Sequence, residues 1–165
     1  MAYEVFALKW LSHEVVTFGL SFIFTEDLFF SLCTLVGANL PDKFDGKPPD
    51  IRSDYQGYWN WRTHHRSLSH WFLPYLVIIF AITVYRFCGQ FSKSELLVLD
   101  FAVYVMVGAI LHIVEDSFCG KVPVFSLKSK RGFNLFKVGE LFEYIFCLFL
   151  LVLACILRWF VFSRF

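Results

Sequence analysis

The stretch Tyr144-Ile145-Phe146-Cys147-Leu148-Phe149-Leu150-Leu151-Val152-Leu153-Ala154-Cys155-Ile156-Leu157 carries no charge and is bounded by Glu143 on one side and Arg158-Trp159 on the other. Crossing the hydrocarbon of a bilayer takes roughly 20 mostly apolar residues. Extended over residues 140–162, this stretch predicts such a helix, with an arginine and a tryptophan where interfacial anchors belong. The rest of the chain agrees with it. Of 165 residues, 58% are hydrophobic and 21% aromatic, with 22 phenylalanines. A soluble domain is roughly 45–50% apolar, and a chain this short has too little interior to hide the surplus. Lipid is the solvent that accepts it.

Four further segments complete an expected all-α, polytopic membrane bundle of four to five transmembrane or re-entrant helices. They cover about residues 5–24, 28–40, 71–88 and 95–118, and the whole chain forms one integral membrane domain. The first carries Lys9, His13 and Glu14, so one of its faces must avoid lipid. It lacks the basic start and small-residue cleavage site of a signal peptide, so it is expected to remain in the mature protein. The second follows Thr25-Glu26-Asp27, which resembles an N-cap, and ends at Pro41. Pro74 falls in the first turn of the third, where proline is tolerated, and Ser94 is the expected N-cap of the fourth.

Two polar loops remain, 41–70 and 119–139, both expected on one side of the bilayer. They hold ten Lys and Arg residues, against four (Arg86, Lys93, Arg158 and Arg164) at the other side. That bias places the loops in the cytoplasm. A net charge of +1 gives no field for nucleic acid. The five cysteines form no CxxC pair and are expected as small buried apolar residues.

Four polar features interrupt this apolar background. Gly37-Ala38-Asn39-Leu40-Pro41-Asp42-Lys43-Phe44-Asp45 ends a helix and sets two carboxylates three residues apart. His64-His65-Arg66-Ser67-Leu68-Ser69-His70 holds three of the chain's five histidines. Gly108-Ala109-Ile110-Leu111-His112-Ile113-Val114-Glu115-Asp116 lies inside an apolar helix, where imidazole and carboxylate are costly and by default line an enclosed polar site. His112 and Asp116, four apart, share a helical face with Gly108, while Glu115 points about a quarter-turn away. His13-Glu14 sits within the first segment. Glu140 and Glu143, at the start of the last helix, suit its dipole.

All of His13, Asp42, Asp45, His65, His70, His112 and Asp116 map toward one membrane face. Imidazole mixed with carboxylate suits a divalent ion, with zinc or manganese favoured and iron(II) also compatible. For His112 and Asp116, a plain His–Asp hydrogen bond would satisfy both groups without an ion.

The order of these motifs resembles the YdjM-like family of bacterial inner-membrane proteins, classed as metal-dependent hydrolases. That family shows an early helix-borne histidine, G-x-L-L-P-D-x-D, H-R-G-x-T-H-S, and G-x-x-x-H-x-x-x-D before a G-x-P-like element. The counterparts here are His13, Gly37 to Asp45, His65 to His70, Gly108 to Asp116, and Gly120-Lys121-Val122-Pro123. The Asp42–Asp45 spacing is one residue wider than the family pattern, and Ser67, Ser69 and Trp71 replace its glycine, threonine and serine.

The resemblance implies a membrane-embedded, metal-dependent hydrolase in the bacterial inner membrane, and the expected place of the site at the bilayer surface favours a lipid-linked or phosphoester substrate. His13, Asp42, His65, His70, His112 and Asp116 are its expected ligands. Asp45 or Glu115 would be the general base, and Arg66 would steady a phosphate oxygen. The competing reading is a non-catalytic membrane scaffold or accessory subunit, working with protein partners or as a homo-oligomer in the bilayer. A transporter is disfavoured, since no broken-helix pairs or inverted repeats are visible.

Overall fold

In the computed structural model, residues 2–137 and 139–162 are described, with side chains from Leu11 onward. Lys9's side chain and Arg164 therefore fall outside the description. Among the described residues the regular structure is helical except for one two-residue ladder. Helix α1 spans Ala2–Thr25, α2 Leu28–Ala38, α3 Leu40–Asp45, α4 Tyr55–His64, α5 Phe72–Cys88, α6 Lys93–Cys119 and α7 Leu141–Phe162. Strands β1 (Val122–Pro123) and β2 (Lys130–Arg131) pair antiparallel between α6 and α7.

Among the described residues two helices, α6 and α7, are long and apolar enough to cross a membrane, while Leu11–Thr25 and Phe72–Cys88 form shorter apolar stretches. Helix α2 has 11 residues. At 1.5 Å per residue it measures about 16 Å, roughly half the hydrocarbon thickness.

The helix ends follow local chemistry. Asp27 caps α2 by accepting the Phe30 N–H at 3.1 Å. The N-cap of α6 is Ser92, two residues before the expected Ser94. It forms a reciprocal capping box in which Ser92 Oγ accepts from the Glu95 N–H, and Glu95 Oε2 accepts from the Ser92 N–H at 2.8 Å. Glu95 lies three residues beyond Ser92 but would be next to a cap at Ser94, so only Ser92 can complete the box.

The segment 41–70 is less of a loop than its polarity implied. Pro41 does stop α2, but it also opens α3, where a missing N–H costs nothing. Helix α4 then forms from a short, largely polar stretch capped by Asp54.

The bundle is inverted relative to a soluble protein. On α1 the buried face consists of Ser12, His13, Val16, Thr17 and Ser21, and Leu11, Val15, Phe22 and Phe24 are exposed. On α2 the buried residues include Ser31, Thr34, Gly37 and Ala38, with Leu28, Phe29, Leu32 and Val36 outside. Small and hydroxylic residues at helix interfaces, with large apolar ones outward, are what packing in lipid favours. Of the cysteines, Cys33 is buried, but Cys88 and Cys155 lie exposed on apolar helix faces, contrary to the expectation of burial.

Helix α6 is the central helix, packed against α2 and α5, while α1 packs on α2 and α7. The α2–α6 crossing is a backbone contact. A Cβ on Gly37 would lie 1.9 Å from the Val105 carbonyl oxygen, and one on Gly108 would lie 2.0 Å from that of Thr34. Each glycine therefore admits the other helix, and this crossing brings Asp42, just beyond α2, alongside His112.

Replacing Gly108 by alanine should force α2 off α6, with a loss on the scale of overpacking, about 1–3 kcal/mol. Gly19→Ala is the matched control, because its new methyl would meet only the flexible tip of Leu151. Thermal unfolding in detergent should show a clear drop in Tm for the first and a small one for the second. Equal drops would mean the crossing is not the constraint described.

Candidate metal centre

Four parts of the chain meet at one end of the bundle: α1 with His13, α3 with Asp42 and Asp45, the turn after α4 with His65 to His70, and α6 with His112, Glu115 and Asp116. Both polar segments close over this end, since Arg66 reaches Asp116 and Lys130 Nζ donates to the His65 carbonyl at 3.3 Å.

Helix α3 explains the spacing of its two aspartates. Three apart on a single turn, they face the same way, and the turn closes at Gly46 (φ 72°), whose N–H returns to Asp42 O. Between them they grip His70. Asp45 Oδ2 lies 3.2 Å from His70 Nδ1, and Asp42 Oδ1 lies 3.4 Å from His70 Nε2. The His70 side chain is fully buried.

Asp116 completes the arrangement from α6. Its Oδ2 is 3.2 Å from His70 Nε2 and 3.9 Å from His112 Nε2, and Asp42 Oδ1 is 3.7 Å from His112 Nε2. Two imidazole nitrogens and two carboxylate oxygens thus form a closed ring of contacts. None of the four contacts is a hydrogen bond: His70 Nε2 and both His112 nitrogens are buried without a hydrogen-bond partner. Buried polar atoms are nearly always paired, so these orphaned nitrogens call for another partner. Donors each about 2.0–2.1 Å from one tetrahedral zinc stand about 3.3 Å apart, and the measured separations bracket that value. The donor set is of the kind and spacing that could hold a divalent cation. Two overlapping groups, Asp42–His65–His70 and His70–His112–Asp116, each keep one donor atom per residue within 4.8 Å of the others.

Around this ring lie groups that orient it. A metal-ligating imidazole usually gives its second nitrogen to a carboxylate or carbonyl. Asp45 has that relation to His70. It also accepts the Arg66 backbone N–H at 2.8 Å and the Ser69 hydroxyl, and lies 2.8 Å from His65 Nδ1. Glu115 has the same relation to His13, with Oε2 2.7 Å from Nδ1 while Oε1 accepts from Thr17 at 3.0 Å. His13 Nε2 then faces Asp116 Oδ1 at 3.6 Å, and its ring lies 4.5 Å from that of His112.

Arg66 sits at φ 57°, a strained setting for a residue with a side chain, and donates from Nη2 to Asp116 Oδ1 at 2.6 Å. Gly120 makes room for this guanidinium, as a Cβ there would stand 2.0 Å from Nη1. Arg66 Nε is buried without a partner.

Electrostatics at the loop-borne residues follow from this crowding. Burial pushes His70 toward the neutral form, but Asp116, Asp42 and Asp45 more than offset it and hold its pKa up at about 10. Burial raises Asp42 too, yet His112 and His70 keep it well below the usual carboxylate range. Asp45 is held low in the same way by His65, His70 and Ser69.

Every residue singled out from the sequence (His13, Asp42, Asp45, His65, Arg66, His70, His112, Glu115 and Asp116) takes part in this one cluster. His64 does not: it is exposed and faces its own helix at Asn60 O. The sequence assigns no role in the site to Ser69, Thr17 or Trp61. Trp61 stacks on His65 at 4.3 Å and donates to the Asp45 and Gly46 carbonyls. Thr17, four residues after His13, was within reach of a helical-face argument.

Glu143 needs more than a helix dipole to explain it. It is buried and accepts from the Ser12 hydroxyl and the Gly139 N–H, so it ties α7 to α1 beside His13.

The profile of the family described as YdjM inner membrane protein matches residues 8–137, which takes in every residue of the cluster. No curated protein and no solved structure matches the chain. A match over most of the chain, joined to an apolar exterior and two membrane-length helices, makes this a membrane protein that belongs to the YdjM inner membrane protein family.

Proposed function

We propose that the protein is a multi-pass inner-membrane hydrolase that uses a divalent cation, zinc or manganese, on a lipid-linked or other phosphoester substrate. The polar end of the bundle lies on the cytoplasmic side, with α1, α5, α6 and α7 crossing and α2 re-entering. The observation that carries this reading is the pair of buried Nε2 atoms of His70 and His112, unpaired and facing Asp42 and Asp116 at 3.2–3.9 Å.

In this reading His70, His112, Asp42 and Asp116 hold the cation, with His13 and His65 at its edges. Such an ion supplies a Lewis acid that polarises a phosphoryl oxygen and makes water more acidic. The chain's own residues do the rest. Asp42, whose side chain is 22% exposed, marks the open side where substrate enters.

Arg66 holds Asp116 through Nη2 and keeps its buried Nε for an anionic substrate oxygen, a strong charge-assisted contact. Asp45 and Glu115, both expected as bases, are engaged with imidazoles and hydroxyls. We assign them to fixing the tautomer and tilt of His70 and His13.

Elemental analysis of detergent-purified protein supplied with zinc or manganese should find about one ion per chain in the wild type and little in His70→Ala or His112→Ala. Asp45→Asn should weaken binding about 10–100-fold, as loss of an orienting partner does, with a parallel fall in hydrolysis of a model phosphoester. Equal metal in all four proteins, or none in any, overturns the assignment. Metal without turnover would favour a structural staple in an accessory subunit.

The pH dependence should have opposite signs with and without metal. His70 is raised from 6.5 to about 10, so in the metal-free protein its contribution to stability is complete below pH 6.5 and is lost as pH climbs toward 10. The same proton competes with a cation, so affinity rises over that window. Tm of chelator-treated protein and the zinc Kd, each followed from pH 6.5 to 10, should show this divergence. An affinity that ignores pH there would remove His70 from the site.

A further inference from the structure

The turns that supply the buried ligands also carry large apolar side chains turned the opposite way. Phe44 lies between Asp42 and Asp45 and is 72% exposed, and Leu68 lies between His65 and His70 and is 60% exposed. Both sit beside residues buried among charges, so the local backbone presents a ligand inward and a hydrophobe outward.

The β1–β2 hairpin does the same. It is tied to the site by Trp71 Nε1, which donates to the Val124 carbonyl at 3.1 Å, and by Lys130 on the His65 carbonyl. Its tip exposes Phe125 (77%) and Leu127, with Arg131 lying 5.7 Å over the Phe125 ring. Exposed apolar groups gathered in one region mark a surface that something covers. Charge says what kind. Residues 119–139 contain five Lys or Arg and no Asp or Glu, a composition drawn to anionic lipid headgroups.

We propose that the rim of the site docks into the anionic headgroup layer of the bilayer, with Phe44, Leu68, Phe125 and Leu127 entering the acyl boundary and Lys128 and Arg131 contacting lipid phosphates. The rim then opens toward the membrane plane, and an amphiphile reaches it laterally. The docking needs no cation in the site, so it stands or falls apart from the hydrolase reading.

The test places photoreactive benzoylphenylalanine at Phe125, and separately at Leu68, in the full chain in nanodiscs of phosphatidylcholine alone or mixed equally with phosphatidylglycerol. After irradiation, mass spectrometry should find phospholipid adducts at both positions, several-fold more abundant in the mixed discs. Lys128→Glu/Arg131→Glu should abolish that preference while leaving metal content unchanged, since neither side chain touches the cluster. Chelator-treated protein and His112→Ala should crosslink as the untreated protein does. Adducts only to protein would assign the rim to a partner subunit, and absence of lipid adducts would leave it in water. Equal yields in the two discs would deny it any preference for anionic lipid. Each of these results overturns the proposal.

Discussion

His70 is a fully buried imidazole faced at both ring nitrogens by carboxylates from two separate parts of the chain, and the polar end of the molecule is organised around it. Asp45 takes one nitrogen, and Asp42 and Asp116 face the other. Removing one partner from such a set leaves uncompensated charge where water cannot reach, which typically costs 3–5 kcal/mol. The cluster is therefore stable only as a whole. A turn, a one-turn helix and the C-terminal half of α6 must all be in place before any of the charges is tolerable. That requirement explains why segments with little apolar content, such as α3 and the 65–70 turn, are held at fixed positions against the bundle.

The exterior imposes the complementary constraint. Because the outward faces of α1 and α2 are apolar, the inward faces are where polar groups can reside, and small residues let the backbones come close enough to enclose them. Gly37 and Gly108 serve the site in this indirect way. Bringing α2 into backbone contact with α6 sets the start of α3, and with it Asp42, against the face bearing His112. Packing and chemistry are thus set by the same pair of glycines.

Much of this was legible in the residues themselves. The i,i+4 relation of His112 and Asp116 and the cost of ionisable groups in an apolar helix pointed inward before any coordinates. Asp42 and Asp45 were visible as a pair, but what three-residue spacing accomplishes depends on Pro41 starting a new turn rather than a loop, which a proline signals only by halves. Helix α4 was hard to see because it is only 10 residues long, and the helical spacing of Tyr55, Tyr58 and Trp59 is interrupted by Gly57 and Trp61. Glu115 was read as pointing away because its partners, His13 and Thr17, lie about a hundred positions earlier. No local pattern encodes that meeting. The same holds for Glu143, whose place at the head of a helix gave a sufficient local reason and concealed a long-range one.

His13 and His70 reveal one further point about the design. Each has a carboxylate at Nδ1 and presents Nε2 toward Asp116, although one sits on a long helix and the other on a turn. Asp116 divides its two oxygens accordingly: Oδ2 faces His70 and His112, and Oδ1 faces His13 and receives Arg66. The guanidinium thus supplies a permanent positive charge on the side of Asp116 away from the His70–His112 pair. A carboxylate so divided is oriented by contacts the chain itself supplies, with Arg66 on one oxygen and His70 facing the other. Pre-set in this way, the facing imidazoles and carboxylates that the proposed cation would need are put in place by the chain's own contacts.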